Sequence, residues 1–234
     1  MSEDTLPSPR RREFLGRVAA GAVALGLSTK IPSAFAAETA KHSDQTPSDK
    51  WLSAITGKHR QVFDAPNHEN GWGLLHVRNY LNTLRDTYHV TKPDVTAVVS
   101  IYGLGTMLAF NDDMWKKYGL GGASKVMDGS NAPATANVFY KAPAGAQSLS
   151  ISGTPIPIPA DASISALQDR GALFILCNNA FNVWMGLLGG GDAAKSAALR
   201  KEFEANMLPG VYLVPAMVVA ISQAQKAGCT YMYV

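Results

Sequence analysis

The fold of this chain is decided by the stretch RGALFILCNNA, residues 170–180. Its apolar run from Ala172 to Cys177 has the length of a buried strand and follows Gly171, which closes a predicted helix from Ser163 to Arg170. The pattern from Ala180 to Leu188 then predicts another helix, which ends at three successive glycines. A strand that passes directly into a helix is the repeating unit of α/β proteins.

The same alternation of strand and helix continues on both sides of this stretch. The run 97–101 is apolar on both sides of the pleat, which is typical of a parallel strand covered on both faces. The further predicted strands are His59–Phe63, Val95–Tyr102, Val211–Val214 and Thr230–Val234, and the further predicted helices are Gly71–Tyr88, Ala193–Asn206 and Ala216–Lys226. Because right-handed crossovers join such strands, we predict an α/β fold with a mostly parallel sheet and helices on both faces.

Residues 119–160 interrupt this alternation. The segment is rich in Gly, Ser and Asn, and three prolines alternate with apolar residues near its end. Since proline has no N–H to give to a neighbouring strand, Ser148 to Ala160 is not a central strand. We expect an insertion that packs on the sheet edge or on a partner subunit. It lies within an α/β domain expected over 58–234, after a polar tether and short helix over 37–57.

The first 36 residues have the pattern of a twin-arginine signal peptide. Arg11 and Arg12 precede a Phe-Leu step and an apolar run from Val18 to Leu27, and Ala34-Phe35-Ala36 provides the small residues of a cleavage site. The apolar run is too short to span a bilayer. We therefore expect cleavage after this segment and a protein that is periplasmic or otherwise exported by the twin-arginine pathway.

The balance of charge argues against polyanionic partners. The formal charge is +3 for the whole chain, and it falls to about +1 without residues 1–36, which hold five Lys or Arg and three Asp or Glu. Such a chain has no field that would steer it onto nucleic acid or anionic lipid. We expect no nucleic-acid partner and no membrane association after cleavage.

The sequence predicts neither a disulfide nor a metal nor a cofactor. Cys177 and Cys229 are too few for a disulfide scaffold. They are expected at opposite ends of their strands, about 15 Å apart, and so beyond the reach of a bridge within one subunit. The histidines show no metal-ligand spacing, and Gly103-Leu104-Gly105 lacks the third glycine of a dinucleotide fingerprint.

Cys177 is the candidate nucleophile. In an open α/β sheet, ligands meet the loops at the carboxyl ends of the strands. A thiol at that position faces the amino terminus of a helix, whose partial positive charge favours the thiolate, the form that attacks or carries sulfur. Asn178 and Asn179 are candidate ligand contacts beside it, or simply caps of the helix. The alternative for Cys177 is an inert buried thiol.

Further candidates lie in the loops after the first two predicted strands. Asp64 and His68 come before a helix start, where His68 is a base or a cation beside a thiolate, or only a solvated residue next to capping asparagines. Tyr102 ends the second predicted strand and is a further candidate ligand contact. A competing interpretation is a binding module whose apolar pocket is lined by Tyr102, Met107, Trp115, Trp184 and Met217.

The chain resembles the DsrE/DsrF-like family, also called YchN-like. The resemblance rests on residues 170–180 and on the segments 209–211 (PGV) and 227–231 (AGCTY), and it covers most of 58–234. It implies a five-stranded parallel sheet, assembly into trimers or hexamers and, in sulfur-trafficking members, a cysteine that holds a persulfide. Cys177 matches the position of that cysteine, and the implied partners are a sulfur donor and a sulfur acceptor protein.

Two functions follow from these residues. The first is an exported sulfur-handling protein, a sulfurtransferase or sulfur carrier in which Cys177 binds or relays sulfane sulfur or a thiol ligand beside the loop 64–70. The second is a non-catalytic periplasmic module that binds a small molecule or assembles into an oligomer. The first function requires the thiol to lie exposed where backbone N–H groups polarise it. A third interpretation, a redox enzyme that uses both cysteines, requires the two thiols to approach each other.

Overall fold

The computed structural model describes residues 47–141, 148–151 and 154–234. The predicted signal peptide over 1–36 lies outside these described residues, as does the predicted tether up to residue 46. Among the described helices, none combines the length and the apolar composition needed to cross a bilayer.

Strands and helices alternate along the described residues. The strands are β1 (His59–Asp64), β2 (Val95–Ile101), β3 (Ser148–Ile151), β4 (Thr154–Pro157), β5 (Ala172–Cys177), β6 (Val211–Val214) and β7 (Thr230–Tyr233). The α-helices are α1 (Trp72–Tyr88), α2 (Asp112–Tyr118), α3 (Leu120–Ser124), α4 (Ile164–Asp169), α5 (Asn178–Leu188), α6 (Ala193–Ala205) and α7 (Met217–Lys226). Shorter 3-10 helices cover Pro47–Ala54, Glu69–Gly71, Gly103–Ala109 and Ala160–Ala162.

Five of the strands form one sheet in the order β6-β5-β2-β1-β7. Every neighbouring pair in it is parallel. The predicted α/β fold is confirmed, and the sheet is parallel throughout rather than mostly parallel. From β1 the chain adds β2, β5 and β6 on one side and then returns to place β7 on the other side of β1. The two edges of the sheet are therefore β6 and β7.

The strands β2 and β5 are mostly apolar because elements cover both faces of the sheet. β2 and β5 are buried along their whole length. Before β5, Gly171 turns the chain with a φ of +110°. A Cβ atom at this position would lie 2.7 Å from the carbonyl oxygen of Val95, so the close approach of the turn to β2 requires glycine.

The two faces of the sheet have separate apolar clusters. On the first face, α1, α5 and α6 enclose the larger cluster, which includes Phe174, Phe181 and Phe203. On the second face, α7 lies over β1 and β2, and the 3-10 helix Pro47–Ala54 packs against β5 and β6. The second-face cluster consists of Trp51, Ile55, Val62, Val98, Leu173, Ile175, Cys177, Val214, Met217, Ala220, Ala224 and Cys229.

The middle third of the chain packs differently from expectation. Leu120, Val126 and Phe139 are buried in the first-face cluster, so the part of the insertion up to residue 141 covers a face of the sheet rather than an edge. The reason is that α3 packs against α2 and the 3-10 helix Gly103–Ala109, and the apolar side chains of this segment join the first-face cluster there. Strands β3 and β4 pair with each other in an antiparallel ribbon that is separate from the main sheet.

Candidate functional site

Cys177 lies where the first turns of two helices meet. It is the last residue of β5 and the N-cap residue of α5. Its neighbour across the β5–β6 pair is Val214, so α7 begins close to it. The backbone N–H of Met217, the first residue of α7, donates a hydrogen bond to Cys177 Sγ over 3.4 Å. The sulfur therefore lies at the amino terminus of α7 and contacts one of its free backbone N–H groups.

The position of Cys177 is also a topological switch point. Helix α5, which follows β5, packs on the first face through Phe181 and Met185. Helix α7, which follows the neighbouring strand β6, packs on the second face through Met217 and Ala220. The chain thus leaves two adjacent carboxyl ends in opposite directions, which is the place where open α/β sheets bind ligands.

The expectation of an exposed thiol is wrong. Only 6% of the Cys177 surface is accessible, because its side chain belongs to the second-face cluster with Trp51 and Met217. Trp51 is itself 1% exposed, and its indole N–H finds no acceptor among the described residues. A buried donor without a partner costs about 1–3 kcal/mol. The thiol is therefore covered, with one backbone N–H at its sulfur.

The two asparagines after Cys177 do not cap α5. The helix begins at Asn178, two residues earlier than predicted, and its N-cap is Cys177, whose side chain makes no capping hydrogen bond. Asn178 is half-buried and Asn179 is exposed. Both remain candidate ligand contacts because they flank the thiol in the first turn of the helix.

Asp64, at the end of β1, is a buried carboxylate that accepts hydrogen bonds from three side-chain hydroxyl groups. Its Oδ1 accepts hydrogen bonds from Ser100 Oγ (3.1 Å) and Tyr102 Oη (2.9 Å). Its Oδ2 accepts a hydrogen bond from Tyr231 Oη (2.8 Å) on β7. Only 7% of the Asp64 surface is accessible. Three hydroxyl donors replace the water that this buried charge has lost.

The carboxylate keeps the neighbouring phenols protonated. Burial raises the pKa of Tyr102 above its ordinary value, and the hydrogen bond to Asp64 raises it further. The hydrogen bond to Asp64 is the main reason that the pKa of Tyr231 is raised. A phenolate next to a carboxylate would place two negative charges together, so both tyrosines remain hydrogen-bond donors into the alkaline range.

Tyr102 links the thiol to this carboxylate cluster. Since Ile101 pairs with Leu176, the next residues, Tyr102 and Cys177, are neighbours at the carboxyl edge of the sheet. The Tyr102 ring packs against the second-face cluster that holds Cys177, and its hydroxyl reaches Asp64. Strands β5 and β1 are two strand spacings apart, about 10 Å. The structure thus brings together three of the predicted site residues along one edge.

His68 is not part of this group. Its Nε2 lies 2.7 Å from the carbonyl oxygen of Ser124, and its Nδ1 accepts the backbone N–H of Asn70 over 3.1 Å. Its ring lies near Phe139, which belongs to the first-face cluster. His68 thus caps the short 3-10 helix after the loop, the role that the sequence favoured for an asparagine, and it fastens the loop to α3.

The apolar pocket of the competing interpretation does not form as expected. Met107 and Trp115 are fully buried in the first-face cluster, whereas Met217 belongs to the second-face cluster. The sheet separates these side chains, so they do not line one pocket. Trp184 donates its indole N–H to the carbonyl oxygen of Gly103, which holds α5 against the loop after β2.

The two cysteines lie at opposite ends of the parallel strands. Cys229 comes directly before β7, at the amino-terminal edge, whereas Cys177 ends β5 at the carboxyl edge. Both are free, buried thiols, and burial raises the pKa of Cys229. A redox mechanism that joins them within one subunit is therefore wrong. Within the described ranges no three His, Cys, Asp or Glu side chains are grouped so that they could hold a metal ion.

Sequence reasoning missed three parts of the site. Ser100 was visible as the one hydroxyl in the apolar run 97–101, which is a signal for a buried polar contact. Tyr231 gives no such signal, because its contact with Asp64 spans 167 positions of sequence. The N–H of Met217 is a backbone group and cannot be recognised from residue type.

Comparison with known proteins gives no match for this chain. No protein-family model matches it, and neither does any curated protein or solved structure.

Proposed function

We propose that this protein handles sulfur, with Cys177 binding or relaying sulfane sulfur or a thiol ligand, as an exported member of the DsrE/DsrF-like group. The observation that carries the proposal is the 3.4 Å hydrogen bond from the Met217 N–H to Cys177 Sγ. A helix amino terminus lowers the free energy of a thiolate, which is the reactive form of cysteine. Export, assembly into trimers or hexamers and exchange with donor and acceptor proteins belong to the same proposal.

The proposed reaction needs no cofactor and no external oxidant. The Cys177 thiolate attacks the outer sulfur of a donor persulfide, so that a new S–S bond forms on Cys177 while the donor's own S–S bond breaks. The donor leaves as a thiolate and takes up a proton. Transfer to an acceptor thiolate repeats the same exchange in reverse and restores Cys177. The Met217 N–H would stabilise the sulfur anion in each step.

Mass spectrometry with glutathione persulfide as the donor tests this proposal. We expect a gain of about 32 Da, one sulfur atom, on the peptide that contains Cys177. The gain should persist in Cys229→Ser and be absent in Cys177→Ser. If the folded protein gains no sulfur on Cys177 although a small alkylating reagent reacts there, the carrier mechanism is wrong.

The burial of the thiol favours a second candidate, a non-catalytic binding or oligomeric module. In that case Asp64, Tyr102 and Tyr231 would form the polar part of a ligand site or a subunit contact, and Cys177 would only fill space. Calorimetric titration with glutathione distinguishes the two candidates. A binding module should keep its affinity after Cys177→Ser, whereas a protein that holds its ligand through the sulfur should lose it.

A further inference from the structure

We propose that the 3-10 helix Pro47–Ala54, which we call the cover segment, opens to give access to Cys177 and closes over it. This inference rests on the proposed sulfur chemistry, because a nucleophile that must meet a donor cannot remain 6% exposed. The cover segment would then regulate when a donor or acceptor reaches the thiol. It would also exclude water and other thiols from a bound persulfide between transfers.

The first argument is the position of the cover segment. The second face has two coverings in the described part of the chain: α7 over β1 and β2, and the cover segment against β5 and β6. Cys177 ends β5, so the strand that carries the thiol lies under the cover segment. Trp51 anchors the cover segment, because it is buried in the cluster that contains Cys177, and Ile55, directly after the segment, is buried in the same cluster.

The second argument is that the anchor carries an unsatisfied donor. Trp51 Nε1 is buried and finds no acceptor among the described residues. Water would satisfy this N–H as soon as the cover segment lifted, so opening regains a hydrogen bond that closure gives up. Trp115 is the fully buried tryptophan on the opposite face. Its indole N–H donates to the carbonyl oxygen of Met107, so exposure to water would bring it no additional hydrogen bond.

The third argument is the conformation of the cover segment. It is an eight-residue 3-10 helix. Such helices have poorer hydrogen-bond geometry than α-helices and rarely extend beyond about four residues. The other covering, α7, is a ten-residue α-helix. The cover segment is therefore the weaker of the two coverings and the one expected to open locally.

Thiol labelling tests whether the cover segment controls access. In the full chain carrying Cys229→Ser, we expect Trp51→Ala to raise the labelling rate of Cys177 about 100-fold, since removing a buried aromatic anchor shifts an opening equilibrium by at least that factor. In the Cys177→Ser background, the same change should alter the labelling of Cys229 less than about threefold. Equal acceleration of both thiols would mean global destabilisation and would overturn the proposal.

Trp115→Ala is the matched control. It truncates an equally buried indole on the first face, so it should accelerate both thiols together and only through global unfolding. Low urea concentrations separate the two routes, because local opening exposes little surface and its rate should hardly depend on urea. A labelling rate of Cys177 in Trp51→Ala that rises with urea as steeply as global unfolding would refute local opening.

Hydrogen exchange in the unaltered protein does not depend on whether the variants fold. The amides of the cover segment should exchange at least tenfold faster than those of α7 and β5. Exchange as slow as that of β5 would overturn the proposal. If Trp51→Ala accelerates the labelling of Cys177 as expected but no persulfide forms, the opening of the cover segment is supported and the sulfur function is refuted. If persulfide forms at the same rate in the unaltered protein and in Trp51→Ala, the sulfur function is supported and control of access by the cover segment is refuted.

Discussion

The hydrogen bond between Tyr102 and Asp64 should contribute measurably to stability. It is 2.9 Å long and ends on a carboxylate that is 7% exposed. Hydrogen bonds to charged groups contribute about 1.5–3 kcal/mol, and because water reaches part of the Tyr102 ring we take the lower end, about 1.5 kcal/mol. Tyr102→Phe leaves Asp64 with its two other donors, so the loss should be confined to this one bond.

A double-mutant cycle isolates that bond. Tyr102→Phe, Asp64→Ala and the double variant are unfolded in urea and followed by circular dichroism. With an m-value of about 2 kcal/mol/M, a loss of about 1.5 kcal/mol in Tyr102→Phe should lower the midpoint by about 0.75 M. The coupling free energy of the pair should be about 1.5 kcal/mol.

Tyr233 provides the control for this cycle. It lies on β7 like Tyr231, next to Asp64 in the β1–β7 register, but its hydroxyl makes no hydrogen bond to Asp64. The cycle of Tyr233→Phe with Asp64→Ala should therefore give a coupling below about 0.5 kcal/mol. A Tyr102 coupling no larger than this value would refute the inference that the carboxylate is held by discrete hydroxyl donors.

Three further predictions follow from local contacts. The pKa of Tyr231 is raised in the folded protein. The hydroxyl of Tyr231 therefore stabilises the fold below about pH 10, and this stabilisation is lost as the pH rises through the pKa of the folded state. In urea titrations over that range, the difference in unfolding free energy between the unaltered protein and Tyr231→Phe should shrink. Asn111→Ala removes the cap of α2 and should cost about 1 kcal/mol in thermal unfolding, whereas the exposed Asn179→Ala should cost almost nothing. Gly121→Ala would press a Cβ atom into the backbone of a neighbouring turn and should destabilise by about 1–3 kcal/mol, whereas Gly122 has room and its change to Ala should be neutral or stabilising by calorimetry.

Local patterns were sufficient for the five strands of the main sheet and the helices that connect them, but not for β3 and β4. The strands and helices follow from hydrophobic periods of two and 3.6 residues and from turn residues such as Gly171, whose backbone conformation confirms its role. The order of the strands did not follow in the same way. Pairing of β7 with β1 depends on where a long crossover returns, and residue types carry little information about that.

The burial of Cys177 shows the same limit for the site. Its place at the end of a strand and directly before a helix could be predicted from the residues around it, whereas the contact of its sulfur with the Met217 N–H of α7 could not. Its burial could not, because the cluster that encloses it draws on residues far away in sequence, such as Trp51, which lies in a segment without helical or strand periodicity. The carboxylate cluster was found only in part for the same reason, since Tyr231 reaches Asp64 from the other end of the domain.

The pairing of β1 with β7 has a consequence for biosynthesis. Asp64 on β1 cannot form its hydrogen bond with Tyr231 until the ribosome has added the 167 residues that separate them. At a translation rate of about 5–20 residues per second, the ribosome needs roughly 10–30 seconds to deliver the missing strand. During this interval one side of β1 offers unpaired amide and carbonyl groups to any extended peptide nearby. Nascent chains of this protein should therefore depend on chaperones or on synthesis at low concentration more than the size of the finished domain suggests.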